Sequence, residues 1–157
     1  MKVVSNTSPI IFLRHVGCLG LLSSCFGRVL IPKAVAAELG MEQLPPTIEI
    51  LQISSEGQSF VERHYGALHR GELEAMQLAR ETNANLVLLD DLLARNKAKA
   101  LHLDVIGTLG VFLLACRRRH ISPKLAAQKI ALLISEHDMY VAPNLLRKIN
   151  DELQSLE

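Results

Sequence analysis

Short apolar runs alternate along this chain with segments whose apolar residues recur every three or four positions, which predicts βαβ units around a mainly parallel sheet. A first strand is expected at Val3–Ser5, and Ser8-Pro9 supplies a helix cap followed by proline, predicting a helix over 10–22. A second strand is expected over 28–31. Pro32 then opens a helix carrying Ala34, Val35 and Leu39, and Gly40 stops it. After Pro45-Pro46, the residues Ile48, Ile50, Leu51 and Ile53 read as a strand that Glu49 and Gln52 place toward an edge.

Residues 56–66 carry a weak helical pattern and 71–82 a clear one. Leu86-Val87-Leu88-Leu89 is the strongest buried strand, and it runs into Asp90-Asp91. A helix with Leu93, Ala94, Ala98 and Leu101 leads to a last strand at Val105-Ile106, and Gly107-Thr108 turns into an apolar helix over 109–116. Ser122-Pro123 caps a helix to about 137, and a final helix spans 143–153. No repeat or linker interrupts the 157 residues, so one α/β domain is expected, with the helices of about 122–157 packed on it.

Composition sharpens this picture. Hydrophobic residues make up 49% of the chain but aromatics only 4%, so the core is aliphatic and an aromatic binding platform is disfavoured. The 17 Lys and Arg against 16 Asp and Glu leave a net charge of +1, so no global field attracts nucleic acid or membrane and any RNA contact must be local. Cys18, Cys25 and Cys116 fit no zinc spacing and read as buried thiols of a cytoplasmic protein. No stretch is long enough to span a bilayer.

In a parallel sheet, ligands gather beyond the carboxyl ends of the strands. Asn6 follows the first strand and Asp90 and Asp91 the strongest one, while Glu38 and Glu72 lie on flanking helices. Glu72 shares a helical face with Ala75, Met76 and Ala79, whereas Glu74 is expected to face water. A carboxylate on a packed edge gathers donors or a cation; the alternative for Glu72 is a first-turn acid favoured by the helix dipole. Glu38 borders Ala34 and Val35 near a helix end, where its charge does not help the helix, and reads equally as a solvated Glu. One of Asp90 and Asp91 is expected to be a helix N-cap.

Strand-Asn6-Thr7-Ser8-Pro9, Val29-Leu30-Ile31-Pro32 leading to Val35 and Glu38, Gly71-Glu72-Leu73-Glu74-Ala75, Leu88-Leu89-Asp90-Asp91 with Ala94-Arg95, and Ile106-Gly107-Thr108 occur in order. Together they resemble an uncharacterised prokaryotic branch of the PIN-domain superfamily, through about Cys116. The resemblance implies a three-layer fold on a five-stranded, mainly parallel sheet. It also implies a ribonuclease dependent on Mg²⁺ or Mn²⁺, often the toxin half of a toxin–antitoxin pair and commonly a homodimer. Carried over by position, the family acids fall on Asn6, Glu38, Glu72 and Asp90, with Asp91 as a near neighbour and Thr7 as a supporting hydroxyl. The expected roles are catalysis for Glu38, Glu72 and Asp90, metal binding for Asn6, Glu72, Asp90 and Asp91, and phosphate binding for Arg95. Asn6 departs from the family's usual Asp: an amide carbonyl coordinates a hard cation but lacks the charge. That departure opens an alternative, a catalytically weakened scaffold serving as a binding module. Gly107-Thr108-Leu109-Gly110 is not a Walker loop, and the six His and three Cys show no metal or triad spacing.

Overall fold

The computed structural model describes residues 1–40 and 44–157. Five strands form one sheet with every pairing parallel: β1 (Val3–Ser5), β2 (Val29–Pro32), β3 (Ile48–Leu51), β4 (Leu86–Leu88) and β5 (Val105–Ile106), in the order β3-β2-β1-β4-β5. Every residue of β1 and β2 is buried, as befits parallel strands covered on both faces. Successive residues point to opposite sides. Val3, Val29, Ile31 and Leu88 enter one core, and Val4, Leu30, Val87 and Leu89 the other.

The first core is closed by α1 (Thr7–His15), α2 (Gly20–Phe26), α3 (Lys33–Leu39), α7 (Thr108–Arg117), α8 (Pro123–Glu136) and α9 (Pro143–Ser155). The second is closed by α4 (Ser55–His64), α5 (Arg70–Glu81) and α6 (Leu92–Ala100). Phe112, Ile10, Leu13, Ile130 and Leu133 are fully buried in the first, and Leu73, Met76 and Leu78 in the second. Each such side chain contributes about 1.5–3 kcal/mol of transfer free energy, so the aliphatic composition suffices for both layers. The C-terminal helices supply Ala126, Ile149 and Leu153 to the same core as α1 and α7. Among the described residues, no helix is long and apolar enough to cross a membrane.

Two sequence expectations change. The helix expected over 10–22 is α1 and α2, divided at Gly17, whose φ of +71° is the left-handed conformation that ends a helix; Cys18 N–H then donates to Leu13 O at 2.8 Å. That helix also begins earlier, at Thr7, so Asn6 rather than Ser8 holds the N-cap position and Pro9 sits within the first turn. On α6, Ala94 and Ala98 are buried as expected, but Leu93 is exposed together with Leu92.

The chain moves outward from β1 to β2 and β3, then returns to lay β4 and β5 on the other side of β1. The reversal falls between β1 and β4, and loops leaving these two strands diverge to leave a crevice at their carboxyl ends. Asn6 and Asp90 stand at this crevice.

Candidate active site

Asn6 extends the sheet by one bond, its N–H donating to Leu88 O at 3.0 Å, and its side chain is buried. Asn is among the best helix N-caps, yet Asn6 at the N-cap of α1 makes no side-chain capping bond. Its amide is instead turned toward α5. A methyl group placed on Gly71 would collide with Glu38 Oε1 and lie 3.3 Å from Asn6 Oδ1, so only glycine in the first turn of α5 leaves room for these two oxygens. Thr7 holds the other Glu38 oxygen: its Oγ1 donates to Oε2 at 2.6 Å, joining α1 to α3. Glu38 is thereby aimed by Thr7, with Oε1 facing the crevice.

Glu72 follows Gly71 and is buried. Its Oε2 accepts the backbone N–H of His69, the N-cap of α5, at 3.1 Å. Burial raises its pKa above the usual carboxylate range, the His69 N–H opposes that rise, and the charges of Asp91 and Glu38 add to it. Among the described residues, none of Glu38, Glu72 and Asp91 forms a salt bridge. Asn6, Glu38 and Glu72, with Asp91 at the margin, gather oxygen atoms and negative charge at one place.

Asp90 is occupied differently. Its Oδ1 accepts Thr108 N–H at 2.7 Å and its Oδ2 accepts Thr108 Oγ1 at 2.8 Å, tying the end of β4 to the start of α7. Gly107 admits this approach, since a methyl group there would lie 2.7 Å from Asp90 Oδ1 and 3.1 Å from Arg95 Nη1. Burial raises the Asp90 pKa, while the two Thr108 bonds and the Arg95 charge oppose the rise. Asp91 is the N-cap of α6, its Oδ2 accepting Ala94 N–H at 2.9 Å, as expected for one of the pair.

The structure thus brings Asn6 and Glu38 to Gly71, with Thr7 holding Glu38 from behind, and Glu72 next in the chain. The acid whose charge reaches Glu72 from the β4 end is Asp91; Asp90 turns to Thr108 and Arg95. Among the described residues, no three His, Cys, Asp or Glu side chains already form a metal-ligand group. The donor set nonetheless fits a hard cation: an amide carbonyl, two carboxylates and a third nearby, in a space kept open by glycine.

Thr108 and Gly71 stand within the motifs that carry the family resemblance, but the sequence alone assigns neither a role at the site. A buried threonine opening the helix after a strand end was the available signal for the first; nothing local signals the second. Glu74, expected in water, is half-buried and accepts Ala34 N–H at 3.2 Å, joining α5 to α3. Arg117 pairs with Glu152 and Arg118 donates to Cys25 O, so these two fasten α7 to α9 and α2. The three cysteines are buried free thiols whose pKa values burial raises, which makes them unreactive.

The fold has a solved counterpart. A PilT N-terminus domain protein, SSO1118, from the hyperthermophilic archaeon Sulfolobus solfataricus P2 superposes with a TM-score of 0.50 over 71% of this chain and 90% of its own, at 23% identity. At that identity the likeness concerns the fold alone. No curated protein matches the sequence. The family model DUF3368, described as a PIN domain, matches residues 2–155, essentially the whole chain, and the chain accordingly belongs to the PIN-domain family.

Proposed function

We propose that this chain is a ribonuclease that hydrolyses RNA phosphodiester bonds with the help of Mg²⁺ or Mn²⁺. The observation that carries the reading is the convergence of Glu38 Oε1 and Asn6 Oδ1 on the space above Gly71, beside a buried Glu72. Asn6, Glu38 and Glu72 would hold the cation, with Asp91 contributing from the α6 end. A divalent cation there supplies a water of lowered pKa and neutralises charge on the phosphate oxygens.

The chain's own residues do the rest. Thr7 keeps Glu38 from swinging away, so that its free oxygen stays directed at the place where the cation and its water would sit. Thr108 fixes Asp90 at the far wall of the crevice, and Arg95, whose charge Asp90 feels, offers a guanidinium to a flanking phosphate. The reading includes a homodimer and an antitoxin protein as partners. Exposed Leu125, Leu132, Leu145 and Tyr140 on and between α8 and α9 give self-association an apolar surface.

Asn6 in place of an acid favours a second reading, a PIN scaffold that binds without cutting. Incubation of purified protein with fluorescent single-stranded RNA and Mn²⁺ separates the two. Cleavage abolished by EDTA and by Glu72→Gln supports the nuclease; an intact substrate at saturating Mn²⁺ supports the scaffold.

A further inference from the structure

A cleft of about 570 Å³ opens beside the crevice, on its β3 side. Its walls are the face of α4 that carries Ser55, Gln58, Ser59, Glu62 and Arg63, the residues following β3, Lys33 at the start of α3, and Arg70 and Glu74 at the start of α5. The spacing of 55, 58, 59, 62 and 63 is that of one helical stripe, so a whole side of α4 is polar and turned inward to the cleft. Arg70, in the wall of this cleft, directly precedes Gly71 and Glu72 in the chain.

The charges in the cleft are not equally free. Glu62 is paired with Arg70 at 2.6 Å, and Glu74 is held by the Ala34 N–H. Among the described residues Lys33 and Arg63 form no salt bridge, and both are exposed. Two uncommitted cations thus line a cleft that also offers the amides of Gln52 and Gln58. Beside Arg70 of the wall the Tyr65 ring is exposed, the guanidinium lying 5.3 Å from its centroid.

We infer that this cleft is a subsite for single-stranded RNA, in which Lys33 and Arg63 hold two successive phosphates and Tyr65 stacks an unpaired base. The inference rests on the nuclease reading for the direction of the strand, which would run along the carboxyl ends of the strands from Arg95 across the acids to Arg63. Cations spaced along a groove with an exposed ring at its edge are the elements by which proteins hold single strands irrespective of sequence. A net charge of only +1 then suffices, because the attraction is confined to the cleft.

The test is fluorescence anisotropy of a labelled eight-nucleotide single-stranded RNA in EDTA, where no cleavage occurs, titrated at several salt concentrations. The double variant Lys33→Ala/Arg63→Ala is expected to bind roughly tenfold more weakly at low salt, with a salt slope smaller by about 1.4, the value for two lost phosphate contacts. Lys148→Ala, on the exposed side of α9, is expected to match the parent. Because both substituted side chains are exposed, melting temperatures should coincide; Lys33→Gln/Arg63→Gln carries the same expectation should the alanine pair fail to fold. Unchanged affinity and slope in the double variant, or no binding by the parent, overturns the subsite. A parent that binds through Lys33 and Arg63 but never cuts RNA upholds the subsite and refutes the nuclease. A parent that cuts RNA while the variant binds normally does the reverse.

Discussion

Replacing Asp90 by Ala removes both acceptors that the start of α7 uses. Thr108 is fully buried, so its N–H and its hydroxyl would be left without partners inside the protein. Each orphaned buried group costs about 1–3 kcal/mol, and the loss of a carboxylate that is itself poorly solvated returns part of that, leaving about 3 kcal/mol. For a chain of this length that corresponds to a fall in melting temperature of roughly 6–12 °C. Asp90→Asn keeps one acceptor, and the Thr108 hydroxyl can rotate to accept from the new amide, so a loss of about 1 kcal/mol or less is expected. Circular dichroism melts in EDTA read both values. An Asp90→Ala protein melting within about 2 °C of the parent would refute the anchoring role argued from the Thr108 bonds. The comparison also decides which variant reports on chemistry: lost cleavage in Asp90→Ala confounds folding with catalysis, whereas Asp90→Asn separates them.

Three further outcomes follow from the geometry. Gly71→Ala puts a methyl group where Glu38 Oε1 lies, so Mn²⁺ should no longer raise its melting temperature, while in EDTA alanine's helix preference offsets the displaced Glu38 and the melt stays near the parent's. Because burial raises the Glu72 pKa, the folded state holds that proton longer than the unfolded chain does, and this group's destabilising effect appears as pH rises from the ordinary carboxylate range through the raised value. Glu72→Gln should therefore match the parent at low pH and melt progressively higher than it, in EDTA, as pH approaches neutrality. Asn6→Asp adds a negative charge beside Glu38 and Glu72, so it should melt below the parent in EDTA and gain more from Mn²⁺. At a hundred times the dissociation constant, Mn²⁺ should stabilise the parent by about 2.7 kcal/mol, or roughly 5–11 °C.

The sheet was legible in the sequence because its strands are short, apolar and bounded by turn residues, and because the polar residues that follow them mark the carboxyl edge. Asn6 stands out for that reason, Glu38 and Glu72 for their places at the apolar borders of flanking helices, and the Asp90-Asp91 pair as a helix cap, a part that Asp91 takes. What local pattern could not carry was the direction of each side chain past the strand ends. Asp90 follows Leu89, which enters the core under α5 and α6, so the alternation of the strand sends Asp90 to the other side, toward α7 and Thr108. Gly71 looked like a plain helix start because its value lies in the side chain it lacks, visible only once Glu38 and Asn6 are brought to it. The division at Gly17 was hidden by apolar residues continuing at helical spacing on both sides of it, and Glu74 by a bond to a backbone 40 residues away.

Anomalous diffraction from a crystal of the protein grown with Mn²⁺ tests most directly whether the oxygens gathered around Gly71 hold a divalent cation. The expected result is a manganese peak within coordination distance of Glu38 Oε1, Asn6 Oδ1 and a Glu72 oxygen, absent in a Glu72→Gln crystal. A saturated crystal with no peak there, or with its manganese bound only elsewhere on the protein, would contradict the account.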